Sequence, residues 1–206
     1  MKYVIFDFNG TVIDDVDLGV LCINELVKKY LNRGPVSREE YTHVFTFPVK
    51  KYYENVGFDF GLHDWVTVAH DWLSIYNSHR HEYSLFPGIV DLLEENQRKG
   101  YSNILLSATK REMLLEQVEE LGLSSYFDKI LGIDNIYASG KVHLIEDFIK
   151  DKDPKDCVLI GDTLHDLDVA RSAGVECILL SCGHQARDVL EREYGRVVGD
   201  IREVVL

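Results

Sequence analysis

Positive charge is scarce in this chain. Lys and Arg number 22 against 35 Asp and Glu, which gives a formal net charge of −13 over 206 residues. Attraction to nucleic acid or to an anionic membrane needs clustered cations, so that balance argues against both as partners. An anionic ligand must then be drawn by a few local cations or by a metal ion. Long apolar runs are missing as well. No stretch approaches the roughly 18 residues of a membrane span, and Tyr3-Val4-Ile5-Phe6 is too short for a secretory core. Cys22, Cys157, Cys177 and Cys182 make no C-x-x-C pair and no zinc spacing with histidine. Cys157 and Cys177 open apolar runs and read as small core residues. A reduced, cytoplasmic protein is the expectation, with no internal repeat and no low-complexity segment.

What is present is enough apolar material for a sizeable core, with 46% hydrophobic and 28% charged residues. The length suits one large domain, or a core with a smaller insert. From Tyr83 onward short apolar runs alternate with amphipathic ones. Helices are expected over Ile89–Lys99, closed by Gly100, and over Glu112–Leu121, closed by Gly122. Two more are expected over Lys141–Ile149 and Leu164–Ala173. Strands are expected at Tyr3–Phe8, Asn103–Ser107, Lys129–Leu131, Val158–Ile160, Val175–Leu180 and Arg196–Val198. Near-continuous apolar strands separated by helices imply an α/β fold with a parallel sheet covered on both faces. In such sheets the ligand crevice lies beyond the carboxyl ends of the strands. Residues 15–84 differ: they are rich in Tyr, Trp and His, show helical periodicity over Asp17–Tyr30, and lack the alternation. They read as a helical insert, leaving 1–14 and 85–206 as the core.

Polar motifs stand at the strand ends. Asp7-Phe8-Asn9-Gly10-Thr11 closes the first apolar run, and Ser107-Ala108-Thr109-Lys110 follows Ile104-Leu105-Leu106. Lys141 follows Ser139-Gly140, and Gly161-Asp162-Thr163-Leu164-His165-Asp166 follows the Val158–Ile160 run. Converging carboxylates repel one another, which a hard, oxygen-ligated cation relieves. These four motifs, in this order, resemble those of the haloacid dehalogenase superfamily with a helical cap, in its phosphoglycolate-phosphatase-like branch. The resemblance implies a Rossmann-like core and hydrolysis of a small phosphorylated metabolite through an aspartyl-phosphate on Asp7. It assigns Mg²⁺ to the Asp7 carboxylate, the Asn9 backbone carbonyl, Asp162 and Asp166. Lys141 would neutralise the nucleophile and a phosphoryl oxygen, while Ser107 and backbone N–H groups at Ala108 and Gly10, beside Thr11, would hold the others. Catalytic roles thus fall to Asp7, Asn9, Ser107 and Lys141. A monomer and a homodimer are equally open.

Asn9 departs from that pattern, since the family's phosphatases carry a second aspartate there that moves a proton. An amide donates a hydrogen bond but does not exchange a proton at neutral pH. The expectation is a slow phosphatase, weak toward alkyl phosphates and better toward activated ones. Two alternatives remain: a phosphonatase-like C–P hydrolase using a cap lysine, with Lys50 as the analogue, or a catalytically weak protein that binds a phosphometabolite. Lys50 is also the insert's candidate for a substrate anion, against a plain solvated pair with Lys51. Tyr52, Tyr53, Trp65 and Trp72 read as insert core, His63, His70, His79 and His81 as surface or packing residues, His165 as a rim residue, and Asp14 and Thr109 as local caps.

Overall fold

The computed structural model describes residues 2–134 and 141–206. In chain order, β1 (Tyr3–Phe6) and β2 (Ile13–Asp14) precede four helices, α1 (Val16–Leu26), α2 (Arg38–Val44), α3 (Val49–Val56) and α4 (Trp65–His79). Then come β3 (Ser84–Leu85), α5 (Ile89–Arg98), β4 (Ser102–Lys110), α6 (Arg111–Glu120), β5 (Lys129–Ile133) and α7 (Val142–Ile149). The chain closes with β6 (Cys157–Gly161), α8 (Leu164–Ala173), β7 (Glu176–Leu180), α9 (Arg187–Glu193) and β8 (Val197–Val198). Six strands form one sheet in the order β5-β4-β1-β6-β7-β8, and all neighbours run parallel.

The pleat explains the apolar runs. Val4, Phe6, Leu105 and Ile160 turn to one face and meet Ile89, Leu93, Leu114 and Val118 of α5 and α6. Ile5, Ile104, Leu106 and Leu159 turn to the other and meet Ile145 of α7 with Leu167 and Ala170 of α8. A strand buried on both sides has no solvent face to mark by alternation. Each such side chain contributes roughly 1.5–3 kcal/mol by leaving water. β1 stops two residues earlier than its apolar letters suggest. The Asp7 N–H still donates to the Ile160 carbonyl, but the Phe8 carbonyl accepts from Val12 and Ile13, at 2.9 and 3.0 Å, and the chain turns away. β4 runs longer than expected, and its register against β5 shifts between Leu106 and Lys110, around Ser107.

β2 and β3 pair antiparallel, Ile13 with Leu85 and Asp14 with Ser84, and form a neck where the chain leaves and rejoins the core. Between them the regular elements are helical. Ser37 caps α2 by accepting from the Glu40 N–H, and Asp64 caps α4 by accepting from the Thr67 N–H. This helical cap has its own core, with Ile23, Leu26, Tyr41, Tyr52, Tyr53 and Val68. No helix among the described residues is long and apolar enough to cross a membrane.

Candidate active site

Four side chains meet where the parallel strands end. Asp7 follows β1, Asp162 follows β6, Asp166 lies in the first turn of α8, and Lys141 stands just before α7. Asp7, Asp162 and Asp166 each offer an oxygen within 4.8 Å of the others. The Lys141 ammonium donates to Asp7 Oδ1 and to Asp166 Oδ1, both at 2.6 Å. Asp166 is divided between two tasks. Its Oδ2 accepts from the Thr163 N–H and hydroxyl, at 3.0 and 2.7 Å, and so caps α8, while Oδ1 faces the lysine. Asp162 is held by the His184 N–H at 2.6 Å and, more loosely, by the Thr11 hydroxyl at 3.4 Å. Glycine permits this crowding: a Cβ on Gly10 (φ +69°) or Gly183 would fall 2.2 or 2.3 Å from Asp162 Oδ2.

Asp162, Asp166 and Lys141 are buried, so their charges interact strongly. Burial pushes the Asp7 carboxyl upward against the pull of Lys141. Burial also pushes Asp162 upward, and the charges of Asp166 and Asp7 add to it beyond what His184 offsets. For Asp166, burial is outweighed by Lys141, which holds the carboxyl below its ordinary value. Lys141 is disfavoured by burial, yet Asp166 and Asp7 hold its ammonium well above the usual range. With all three carboxylates ionised against one ammonium, an excess of two negative charges would remain. An all-oxygen donor set with that excess fits a hard divalent cation.

A second buried network surrounds Asn9. Its amide nitrogen donates to Asp15 Oδ2 at 2.7 Å and to the Tyr76 hydroxyl at 2.9 Å, and Tyr76 donates to the same Asp15 oxygen at 2.8 Å. His184 Nε2 meets Asp15 Oδ1 at 3.1 Å, and its Nδ1 meets the Tyr41 hydroxyl at 2.8 Å. Burial alone would lower His184, but the Asp15 carboxylate outweighs it and carries the imidazole up to about 9. Burial works against Asp15 in turn, and the His184 charge overcomes it, so Asp15 stays below its ordinary value. Asn9 and His184 come from the core, Tyr41 and Tyr76 from cap helices, and Asp15 from the neck. Above both networks lies a cavity of about 390 Å³ between core and cap, reached by Asp7, Asn9, Ser107, Ala108 and Lys141 from below.

A family model described as haloacid dehalogenase-like hydrolase matches residues 4–180. The chain belongs to that family. Among its relatives, a phosphoglycolate phosphatase from Pseudomonas savastanoi pv. phaseolicola is 25% identical over 218 residues, covering 99% of this chain and 78% of the relative. A pyrophosphatase, PpaX, from Bacillus pumilus is 22% identical, covering 84% and 80%. A haloacid dehalogenase-like family hydrolase from Streptococcus pneumoniae shares the fold, with TM-score 0.79, 21% identity and coverage of 97% and 94%. A family hydrolase from Entamoeba histolytica matches with TM-score 0.79, 20% identity and coverage of 100% and 96%.

Several haloacid dehalogenase motif residues sit where the motif order places them, but their hydrogen bonds differ from expectation. The Gly10 N–H is taken by the Ile13 carbonyl and Asp15 Oδ1, both at 3.0 Å, and is not left for a phosphoryl oxygen. Thr11 is fully buried and reaches Asp162. The Asn9 amide hydrogens are engaged by Asp15 and Tyr76, so Asn9 holds the neck and has no hydrogen to offer a leaving group. Ser107 lines the cavity and accepts from the Thr109 N–H at 3.0 Å. Thr109 lines it too, with its hydroxyl 3.4 Å from Asn9 Oδ1, whereas the Asp14 carboxyl, at the end of β2, accepts from the Val16 N–H at the start of α1 as a local cap. Lys50 is exposed, with its ammonium 5.3 Å from the Phe60 ring, and Lys51 pairs with Glu54 at 3.6 Å. The lining of the cavity takes Val49 and neither lysine, which removes the support for a Schiff base on Lys50. Tyr52 is cap core, whereas Tyr53, Trp65 and Trp72 also face the cavity. His165 lines it and stacks on Phe47 at 4.5 Å. Ser139 and Gly140 lie outside the described residues.

Asp15, His184, Tyr41 and Tyr76 were not anticipated. The strand-end rule that found Asp162 also points past β7 to Ser181–Gln185, so His184 was within its reach. Tyr41 and Tyr76 carried no such signal, because helical periodicity marks a packing face and not which hydroxyl will meet a carboxylate.

Proposed function

We propose that the chain is a Mg²⁺-dependent phosphomonoesterase acting on a small phosphorylated metabolite through an aspartyl-phosphate on Asp7, with core 1–14 and 85–206 working under a cap of 15–84. The observation that carries this is the convergence of Asp7, Asp162 and Asp166 oxygens within 4.8 Å beside the Lys141 ammonium. Mg²⁺ held by the Asp7 carboxylate, the Asn9 carbonyl, Asp162 and Asp166 would supply the positive charge that lets a carboxylate approach a phosphate dianion. Lys141 lends its charge to the same approach and orients Asp7. Asp7 attacks phosphorus, the ester P–O bond breaks, and its electron pair leaves on the alcohol oxygen, which takes a proton from water. Water then attacks the phosphorus of the acyl phosphate, releasing phosphate and restoring Asp7.

The Asn9 amide is committed to Asp15 and Tyr76 and serves neither proton transfer. General acid–base catalysis contributes roughly 10²–10⁴-fold, so turnover is slow by that order. Relatives named for phosphoglycolate and for pyrophosphate agree on phosphorus chemistry and differ in substrate. The test is phosphate release from phenyl phosphate by the intact chain with and without Mg²⁺, together with borohydride reduction of the phosphorylated aspartate. Release that needs Mg²⁺ and marks Asp7 supports the proposal. Release that persists in Asp7→Asn overturns it.

A further inference from the structure

The polar floor of the cavity serves the phosphoryl group, and the cap supplies what the rest of the substrate touches. Phe45, Phe47, Trp65, Ala69, Trp72 and Leu73 form most of that roof, and Met113 and Ile133 extend it from the core side. Charge to match an anionic leaving group is missing among the described lining residues. Lys141 is held between Asp7 and Asp166, and Lys110 is paired with Glu112 at 2.5 Å. His184 is taken by Asp15 and Tyr41, and His165 stacks on Phe47. The segment 135–140 reads Asn-Ile-Tyr-Ala-Ser-Gly and contains no Lys or Arg. A substrate carboxylate would find only Lys110, already shared with Glu112, as a mobile cation in the described lining, whereas an apolar group gains by leaving water.

We infer that the substrate is a phosphomonoester with a bulky, uncharged, apolar and preferably aromatic leaving group, received by the Phe45–Phe47–Trp65–Ala69–Trp72–Leu73 roof. This rests on the phosphatase reading and deepens it. The commitment of Asn9 favours the same class from the chemical side. An aryl oxide, whose phenol has a pKa of about 10, departs without the proton an alkoxide needs. The volume agrees: about 390 Å³ lies within the range of pockets that enclose a ring-sized ligand.

The chain's 2 tryptophans are Trp65 and Trp72, and both line the cavity, so intrinsic fluorescence reports occupancy directly. The Mg²⁺-loaded protein is titrated with benzylphosphonate, phosphonoacetate and methylphosphonate, which share a carbon–phosphonate head and differ in the rest. Benzylphosphonate is expected to bind at least ~10-fold more tightly than either of the others, the scale on which an apolar pocket discriminates. Ala69→Arg, which sets a guanidinium in the roof, is expected to bring phosphonoacetate level with or ahead of benzylphosphonate. Should that variant fail to fold, the ratio in the unaltered chain still decides. Phosphonoacetate binding as tightly as benzylphosphonate, or no fluorescence response to any of the three, overturns the inference. The phosphatase reading is scored separately, by Mg²⁺-dependent release from phenyl phosphate, so either can fail while the other stands.

Discussion

The floor and the roof of the cavity are built on opposite principles. The floor, set by strand ends, gathers Asp7, Asp162, Asp166 and Lys141, so that charge lies buried and only partly compensated. The roof, set by cap helices, offers rings and aliphatic chains with no cation of its own among the described lining residues. On the proposed function the floor would act on the phosphoryl group, and the roof would select the ester that is enclosed. Between them the Asn9–Asp15–His184 network is the polar seam that ties one to the other. Its charges are matched, Asp15 against His184, where those of the floor are not.

The largest effect is expected from breaking the floor. Asp7→Asn removes the oxygen proposed to attack and should lower phosphate release on the order of 10⁴-fold or more, as loss of a nucleophile does. Circular dichroism should show the fold retained. Chelating the metal should lower release to the same background, and restoring Mg²⁺ should return it, a pair of assays that measures how much of the floor's work is electrostatic.

The seam comes next. Asn9→Asp alone sets a second carboxylate against Asp15, and the melting temperature should fall because two buried like charges face each other. Pairing it with Asp15→Asn exchanges donor and acceptor across the same contact, restoring the bond and supplying a proton carrier. Steady-state release should then rise by roughly 10²–10⁴-fold over the unaltered chain. The unaltered chain, by contrast, should show a burst of phenol from phenyl phosphate, approaching one equivalent per site and followed by slow turnover, because the acyl phosphate lacks a base for its hydrolysis. A linear time course from the first turnover would count against an accumulating intermediate.

Sharpening the roof gives smaller changes. Trp72→Ala should raise KM for benzyl phosphate about 10-fold while leaving kcat nearly unchanged, the mark of an interaction equal in ground and transition states. The smallest shift is expected for Tyr41→Phe, which removes the hydroxyl at His184 Nδ1. Thermal unfolding should report a loss of about 1–3 kcal/mol, the range for a buried polar group left without its partner.

Most of the core was legible in the letters. Apolar runs ending in Asp7 and Asp162, helices closed by Gly100, Gly122 and Gly174, and the order of the motifs all lead to the observed parallel sheet. Hydrophobic periodicity is a local property, and strand ends inherit their shared location from the topology of parallel sheets. The cap was harder to read. Its helices interleave rings with polar residues, so Tyr52 and Tyr53 are adjacent and alike in letters, yet one is buried cap core and the other also faces the cavity.

Asn9 marks the boundary between the two kinds of knowledge. That position 9 holds an amide, and so moves no proton, follows from the side chain's own chemistry. That its hydrogens point at Asp15 and Tyr76, 6 and 67 residues away, required the chain to fold, because a hydrogen bond depends on distance and direction in space. In the same way the sequence named Lys141 as the cation of the floor, and only the assembled cap made plain that its own helices bring no cation to the described lining.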